Sequence, residues 1–208
     1  ILAPIVIHGE VIGYMWIIGD EHPFTELEHM AIESGTTVAA LMLLRQNAMQ
    51  QEEANRRGDL LTNLMQADDS RAQMLTDRVM RYGVDLRQAF RVLVVDSGEK
   101  RLTPRQVQHI GSVLDALKVP SIVGTFAGQP VIVTQERVDV EVLVKRMQQQ
   151  MADVPLRVGV SGAHRGPLRV ALAHDECRDA LAITAALTCE KIAYFDRLGY
   201  LYALYKAG

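Results

Sequence analysis

The sequence predicts a mixed α/β protein: a hairpin and helix, a long connecting helix, and then a sheet domain with helices packed on it. Three observations predict it. Short β-branched runs such as FRVLVV and VIVT alternate with longer stretches whose apolar residues recur at helical spacing. Helix-start signals head several of those stretches, as in TELE and TPRQ. From Phe90 onward, turn residues divide the chain into the order β-α-β-β-α-β followed by α-β-α, a ferredoxin-like core with additions.

The elements follow in order. Residues 4–7 and 11–18 are apolar runs separated by His8-Gly9-Glu10, which reads as a hairpin. Trp16 in the second run is expected in a core. After the break at GDEHP, Thr25 and Glu28 form a capping box, and the helix it starts carries Leu27, Ala31, Val38 and Leu41 on one stripe. Two strands and one helix make no closed core alone. Residues 45–59, RQNAMQQEEANRRGD, hold few apolar side chains, no proline and many good helix formers. They read as a solvated continuation of the same helix. A helix polar in its middle bridges packed bodies or pairs with its copy in a dimer. Leu41, Met49, Leu60 and Leu64 are its expected packing or dimer residues. Gly58 weakens it by roughly 1 kcal/mol against alanine.

A helix over residues 69–81 carries Met74, Leu75 and Val79. Phe90 opens a strand that Asp96-Ser97-Gly98 ends. Thr103, Pro104 and Gln106 start a helix as N-cap, N1 and N3, with Val107, Ile110, Val113, Leu114 and Leu117 on one face. Pro120 stops it. A hairpin over residues 121–134 follows, in which Pro130 belongs at a strand start or an edge because it has no N–H to give. Then come a helix over 140–151, a strand over 156–160, a helix over 167–187 rich in alanine and leucine, a strand over 191–195 and a short helix over 198–205. The strands are near-continuously apolar, as in a sheet covered by helices.

Composition bounds the function. The chain has 208 residues, with 22 Lys and Arg against 25 Asp and Glu, a formal net charge of -3. That gives no basic field to attract a polyanion, so any DNA contact is expected outside this chain. No apolar run reaches the length of a membrane span. The first residues lack an initiator Met, a basic region and a cleavage site, so they read as the middle of a longer protein rather than a signal peptide. The two cysteines, Cys177 and Cys189, are too few and too far apart for a zinc site or a disulfide framework, and read as packed thiols in a reducing cytosol.

The hairpin TFAGQPVI carries the most specific chemistry by what it lacks. From Val119 to Gln135 no side chain is ionisable. The element order resembles palm-type nucleotide cyclases, including the diguanylate cyclase (GGDEF) domain. That resemblance implies carboxylates at the end of the first strand and at the hairpin tip, clamping metal ions on a triphosphate. Asp96 fills the first position, although Ser97-Gly98 after it also suit a turn residue. The motif itself falls on Ala127, Gly128, Gln129, Pro130 and Val131. Glutamine supplies no anionic ligand and proline no side-chain ligand, so no metal and no cofactor is expected.

Three further stretches resemble the PucR/CdaR family of bacterial transcriptional regulators. APIVIHGEVIGYMWIIGDEHPFTELEHMAIESGTTVAALMLLRQNAMQQEEANRRGDLLTNLMQ looks like the last strands and final helix of a GAF sensor domain and the passage into the next domain. FRVLVVD, VGTFAGQPVIV and RVGVSG follow the strands of that family's degenerate GGDEF-like domain. HDECRDALAIT and KIAYFDRLGYLYAL are similar to its closing pattern. The resemblance implies residues 1–44 as the C-terminal part of a GAF domain, 45–67 as a signalling helix, and 68–208 as a catalytically silent GGDEF-like domain. It also implies a homodimer, an unidentified small-molecule effector, a cytoplasmic setting, and DNA binding through a helix-turn-helix domain outside this chain. The alternatives are a nucleotide-binding module or a divergent cyclase.

The remaining candidates are weaker. His164 and Arg165, in the loop after the fourth strand of the core, suit an acidic ligand, and His174 follows in the next helix. All three read as exposed residues otherwise. His8 reads as a turn residue. His22 and His29 have no third metal ligand. Cys177 has no His–acid pattern beside it and is not expected to be a nucleophile.

Overall fold

The computed structural model describes residues 2–7, 9–18, 23–98, 101–187 and 190–207. His8, His22 and Cys189 lie outside them. The chain divides into two compact units, Ile1–Glu53 and Ala54–Gly208.

In the first unit, β1 (Leu2–Ile7) pairs antiparallel with β2 (Glu10–Trp16), with a register shift between Ile5 and Val6. Helix α1 (Glu26–Met65) begins at the expected capping box. The Thr25 N–H donates to Glu28 Oε2 at 2.7 Å and the Glu28 N–H donates to Thr25 Oγ1 at 3.3 Å. The stripe expected to pack is corrected. Leu27, Ala31, Val38 and Leu41 are exposed, and the less exposed side of the helix carries Ile32, Gly35, Ala39, Ala40 and Leu43. A Cβ on Gly35 would lie 3.8 Å from the Met15 side chain, and Ala40 is buried. Helical spacing shows that apolar residues recur, but the side that meets Met15 of the hairpin is the one with Gly35. Trp16, expected in a core, is 80% exposed.

The division between the units falls inside α1. The last turns of that helix belong to the second unit, where Leu60, Leu61 and Leu64 are fully buried. After α2 (Ala72–Met80) come β3 (Phe90–Asp96), α3 (Pro104–Ala116), β4 (Ser121–Phe126), β5 (Gln129–Gln135), α4 (Val140–Gln150) and β6 (Arg157–Val160). The tail is α5 (Val170–Leu187), β7 (Ile192–Tyr194) and α6 (Tyr200–Ala207). Single 3-10 turns, Pro167–Arg169 and Phe195–Arg197, precede α5 and α6. The sheet order is β4-β5-β3-β6-β7, antiparallel except that β7 runs parallel to β6. The first four strands therefore make the expected ferredoxin-like sheet, and β7 extends one edge.

The near-continuous apolar strands have a physical cause: both faces of the sheet are covered. On one face Leu93, Val95, Ile132 and Val158 meet α3 and α4 through Ile110, Leu114, Leu143 and Met147. On the other Phe90, Val92, Val94, Val131 and Val133 meet the end of α1, α2 and α5. Each such side chain contributes roughly 1.5–3 kcal/mol by leaving water. In α2, Leu75 and Val79 are buried as expected, while Met74 turns outward at 50% exposure.

Two glycines set how close the helices come. A Cβ on Gly159 would lie 2.4 Å from the Cys177 carbonyl oxygen, so α5 rests directly on the β6 backbone. A Cβ on Gly124 would lie 3.0 Å from both Gly58 Cα and Leu61 Cδ2, so α1 crosses β4 there. Gly58 itself has open space at its own Cβ position. Gly58→Ala is therefore expected to raise stability by about 1 kcal/mol through helix propensity. A urea unfolding curve checks this, and a lower midpoint would mean that the crossing tolerates no methyl.

Candidate functional site

The β4–β5 hairpin and the end of β3 share one end of the sheet. Val94 pairs with Val131, so Asp96 and Gln129 both lie two residues further towards that end. The turn is two residues long, with Ala127 at φ 50 and Gly128 at φ 82. Two left-handed residues make the type I′ turn that suits the twist of a hairpin. Pro130 pairs with Thr125 of β4, and the β3–β5 register begins beyond it at Val131, so its missing N–H removes no bond from that ladder.

Asp96 is engaged on both carboxylate oxygens. Its Oδ1 accepts from the Gly98 N–H at 3.1 Å, the turn role expected of it. Its Oδ2 accepts from Arg157 Nη2 at 2.5 Å, across the β3–β6 ladder in which the two residues are direct partners. Arg101 lies beside the hairpin tip: a Cβ on Gly128 would lie 3.2 Å from its Cζ. Ala127, Gly128, Gln129, Pro130, Val131 and Asp96 thus gather at one end of the sheet, with Arg101 and Arg157 added by the fold. Among the described residues no group of three or more His, Cys, Asp or Glu is placed to hold a metal ion.

A second polar group lies where β6 ends. Glu176 Oε2 accepts from the Gly162 N–H at 2.9 Å and lies 2.8 Å from His164 Nε2. Arg91 Nη1 donates to the Ser161 carbonyl at 2.6 Å and to Asp196 Oδ2 at 2.8 Å. The Ser161 hydroxyl accepts from the Val92 N–H and donates to the Gly162 carbonyl. The closing pattern FDRLGYLYAL is explained by the same region. Asp196 holds Arg91, the Phe195 ring meets Tyr202 edge-on at 4.8 Å, Leu198 is buried, and Gly199 turns the chain at φ 51.

His164 was expected to be exposed unless bound to a ligand; instead it is half-buried and bonded to Glu176. Arg165 is exposed and is not part of that group. His174 corrects the same expectation more strongly, being 3% exposed. Burial pushes the Cys177 thiol well above its ordinary range, and its S–H donates to the Val92 carbonyl at 3.0 Å. Such a thiol is a packing group, not a nucleophile. Of the four helix residues, Leu60 and Leu64 are buried in the second unit, while Leu41 and Met49 are each 61% exposed.

Sequence reasoning missed Arg91, Arg157, Glu176 and Arg101. One signal was available for the first: Arg91 is the only basic residue inside the apolar strand FRVLVVD, and a charge there needs a partner.

Residues 66–183, more than half of the chain, match the family model of the GGDEF-like domain. No curated protein matches the chain.

Proposed function

The chain belongs to the GGDEF-like domain family, and from that premise we propose that it is the regulatory portion of a transcriptional regulator of catabolic genes, of the PucR/CdaR kind. Its cyclase-like domain carries no catalysis in this reading. Residues 1–44 are the end of a GAF sensor, and α1 passes the state of that sensor onward. A second copy pairs along the exposed side of α1 that includes Leu41 and Met49. DNA is bound by a helix-turn-helix domain outside this chain, under control of a small-molecule effector.

The observation that supports this most is the hairpin tip. Two-metal phosphoryl chemistry needs anionic ligands on both sides of the ions. Gln129 and Pro130 bring none, and Asp96 is engaged by Arg157 and the Gly98 N–H. Incubation with GTP and Mg²⁺ is expected to release no pyrophosphate above a protein-free blank. Sedimentation at micromolar concentration is expected to give a dimer. Turnover that vanishes in Asp96→Asn would overturn the reading in favour of a divergent cyclase.

One observation favours a nucleotide-binding module without turnover: the Arg101 guanidinium stands beside the Gly128 backbone at the hairpin tip. Arginine there suits phosphate oxygens. Binding of GTP seen by titration calorimetry, and lost in Arg101→Ala, would carry that reading.

A further inference from the structure

His174 has no role in the proposed function, yet its surroundings are unusual for an imidazole. It sits on α5, the helix that packs on β3, β6 and β7, and is 3% exposed. Its Nε2 is buried and has no hydrogen-bond partner among the described residues. Its Nδ1 lies 3.4 Å from Asp175 Oδ1, a long contact to a carboxylate that is itself largely in water. Its ring stands edge-on to Phe126, with centroids 5.3 Å apart and planes at 88°. Phe126 is the last residue of β4 and closes the hairpin turn by pairing with Gln129.

We propose that His174 is a proton-operated latch, which when neutral holds Phe126 and the hairpin tip against α5, and when protonated releases them. A charged imidazole needs an acceptor at each nitrogen, and among the described residues none accepts from Nε2. The charges that His174 feels come from its own helix. Asp175 favours the proton and Arg178 opposes it. The β4–β5 hairpin adds none, because no side chain from Val119 to Gln135 is ionisable. On α1, Arg57 is turned to Asp115 and Tyr82, and Asp59 is exposed.

Burial, the largest influence, holds the His174 imidazole below its ordinary value of 6.5, and Arg178 adds to the shift. The sign follows. The released state keeps the ordinary proton affinity, so it binds more protons than the latched state below pH 6.5. The latch is at full strength above that value and is lost as pH falls towards the lowered one.

The test is an NMR titration of the full 208-residue chain from neutral to mildly acidic pH. The His174 ring signals are expected to titrate with a midpoint below 6.5, and the amides of Phe126, Ala127, Gly128 and Gln129 to move with the same midpoint. Amide exchange at those four positions, corrected for its intrinsic pH dependence, is expected to rise on the order of tenfold per pKa unit between the two states. His174→Phe keeps a ring against Phe126 and is expected to leave the hairpin amides flat with pH. The proposal is overturned if His174 titrates at or above the ordinary value, if the hairpin amides do not follow it, or if they follow the same course in His174→Phe. Should that variant fail to fold, the wild-type titration alone decides.

Discussion

Leu64→Asp is expected to unfold the second compact unit, while Leu41→Asp leaves its melting unchanged. Both leucines lie on α1 and both read from sequence as helix-pairing residues. Leu64 is 1% exposed and packs with Leu75, Val79, Phe90 and Val133, whereas Leu41 is 61% exposed. Aspartate at position 64 loses the leucine packing, worth about 2–5 kcal/mol in comparable truncations. It also strands a carboxylate among apolar side chains, which adds several kcal/mol or forces it to bind a proton. That sum approaches the whole stability of a domain, about 5–15 kcal/mol. Circular dichroism and a urea curve read the first outcome. Sedimentation reads the second, with Leu41→Asp expected to shift the dimer towards monomer. A folded but monomeric Leu64→Asp would move the end of α1 from the core to the interface.

Gly159→Ala is expected to cost about 3 kcal/mol, at the upper end of overpacking effects. The added methyl would meet the Cys177 carbonyl oxygen at 2.4 Å and the Leu181 side chain at 2.9 Å. The carbonyl belongs to the α5 backbone, so relief requires the helix to lift from β6 and open contacts along its length. For a unit of this size the melting temperature is expected to fall by roughly 6–12 °C. Gly111→Ala is the matched control: it lies in α3 with nothing within 4 Å of the new methyl. It is expected to gain up to about 1 kcal/mol. Equal effects at the two glycines would mean that backbone freedom, not the α5–β6 approach, sets the cost.

Local chemistry was legible in the sequence, and contacts between distant residues were not. The capping boxes at Thr25 and Thr103 appear as expected because each is complete within four residues. The hairpin, the order of elements and the turn role of Asp96 rest on equally short stretches. Arg157 reaches Asp96 across 61 residues, and Arg91 reaches Asp196 across 105. No periodicity announces such a pair: the sheet register brings Arg157 to Asp96, and the turn after β7 brings Asp196 to Arg91. His174 fails for a related reason. Its burial depends on Phe126 arriving from β4, and nothing within α5 marks that side as covered. The stripe of α1 was misread because leucine and valine spacing shows where apolar residues recur, but not which side of the helix the hairpin covers.

The two left-handed residues at the hairpin tip carry a mechanical meaning. Glycine enters positive φ at no cost. The backbone takes positive φ at both positions, although only Gly128 is a glycine and Ala127 is held in a conformation that costs an alanine about 1 kcal/mol. Side chains can be exchanged one at a time, whereas a turn that sets the register of β4 and β5 cannot drift without dislocating the sheet. The tip is thus held like a hem by the two strands it joins: its main-chain path belongs to the sheet, whatever side chains it carries.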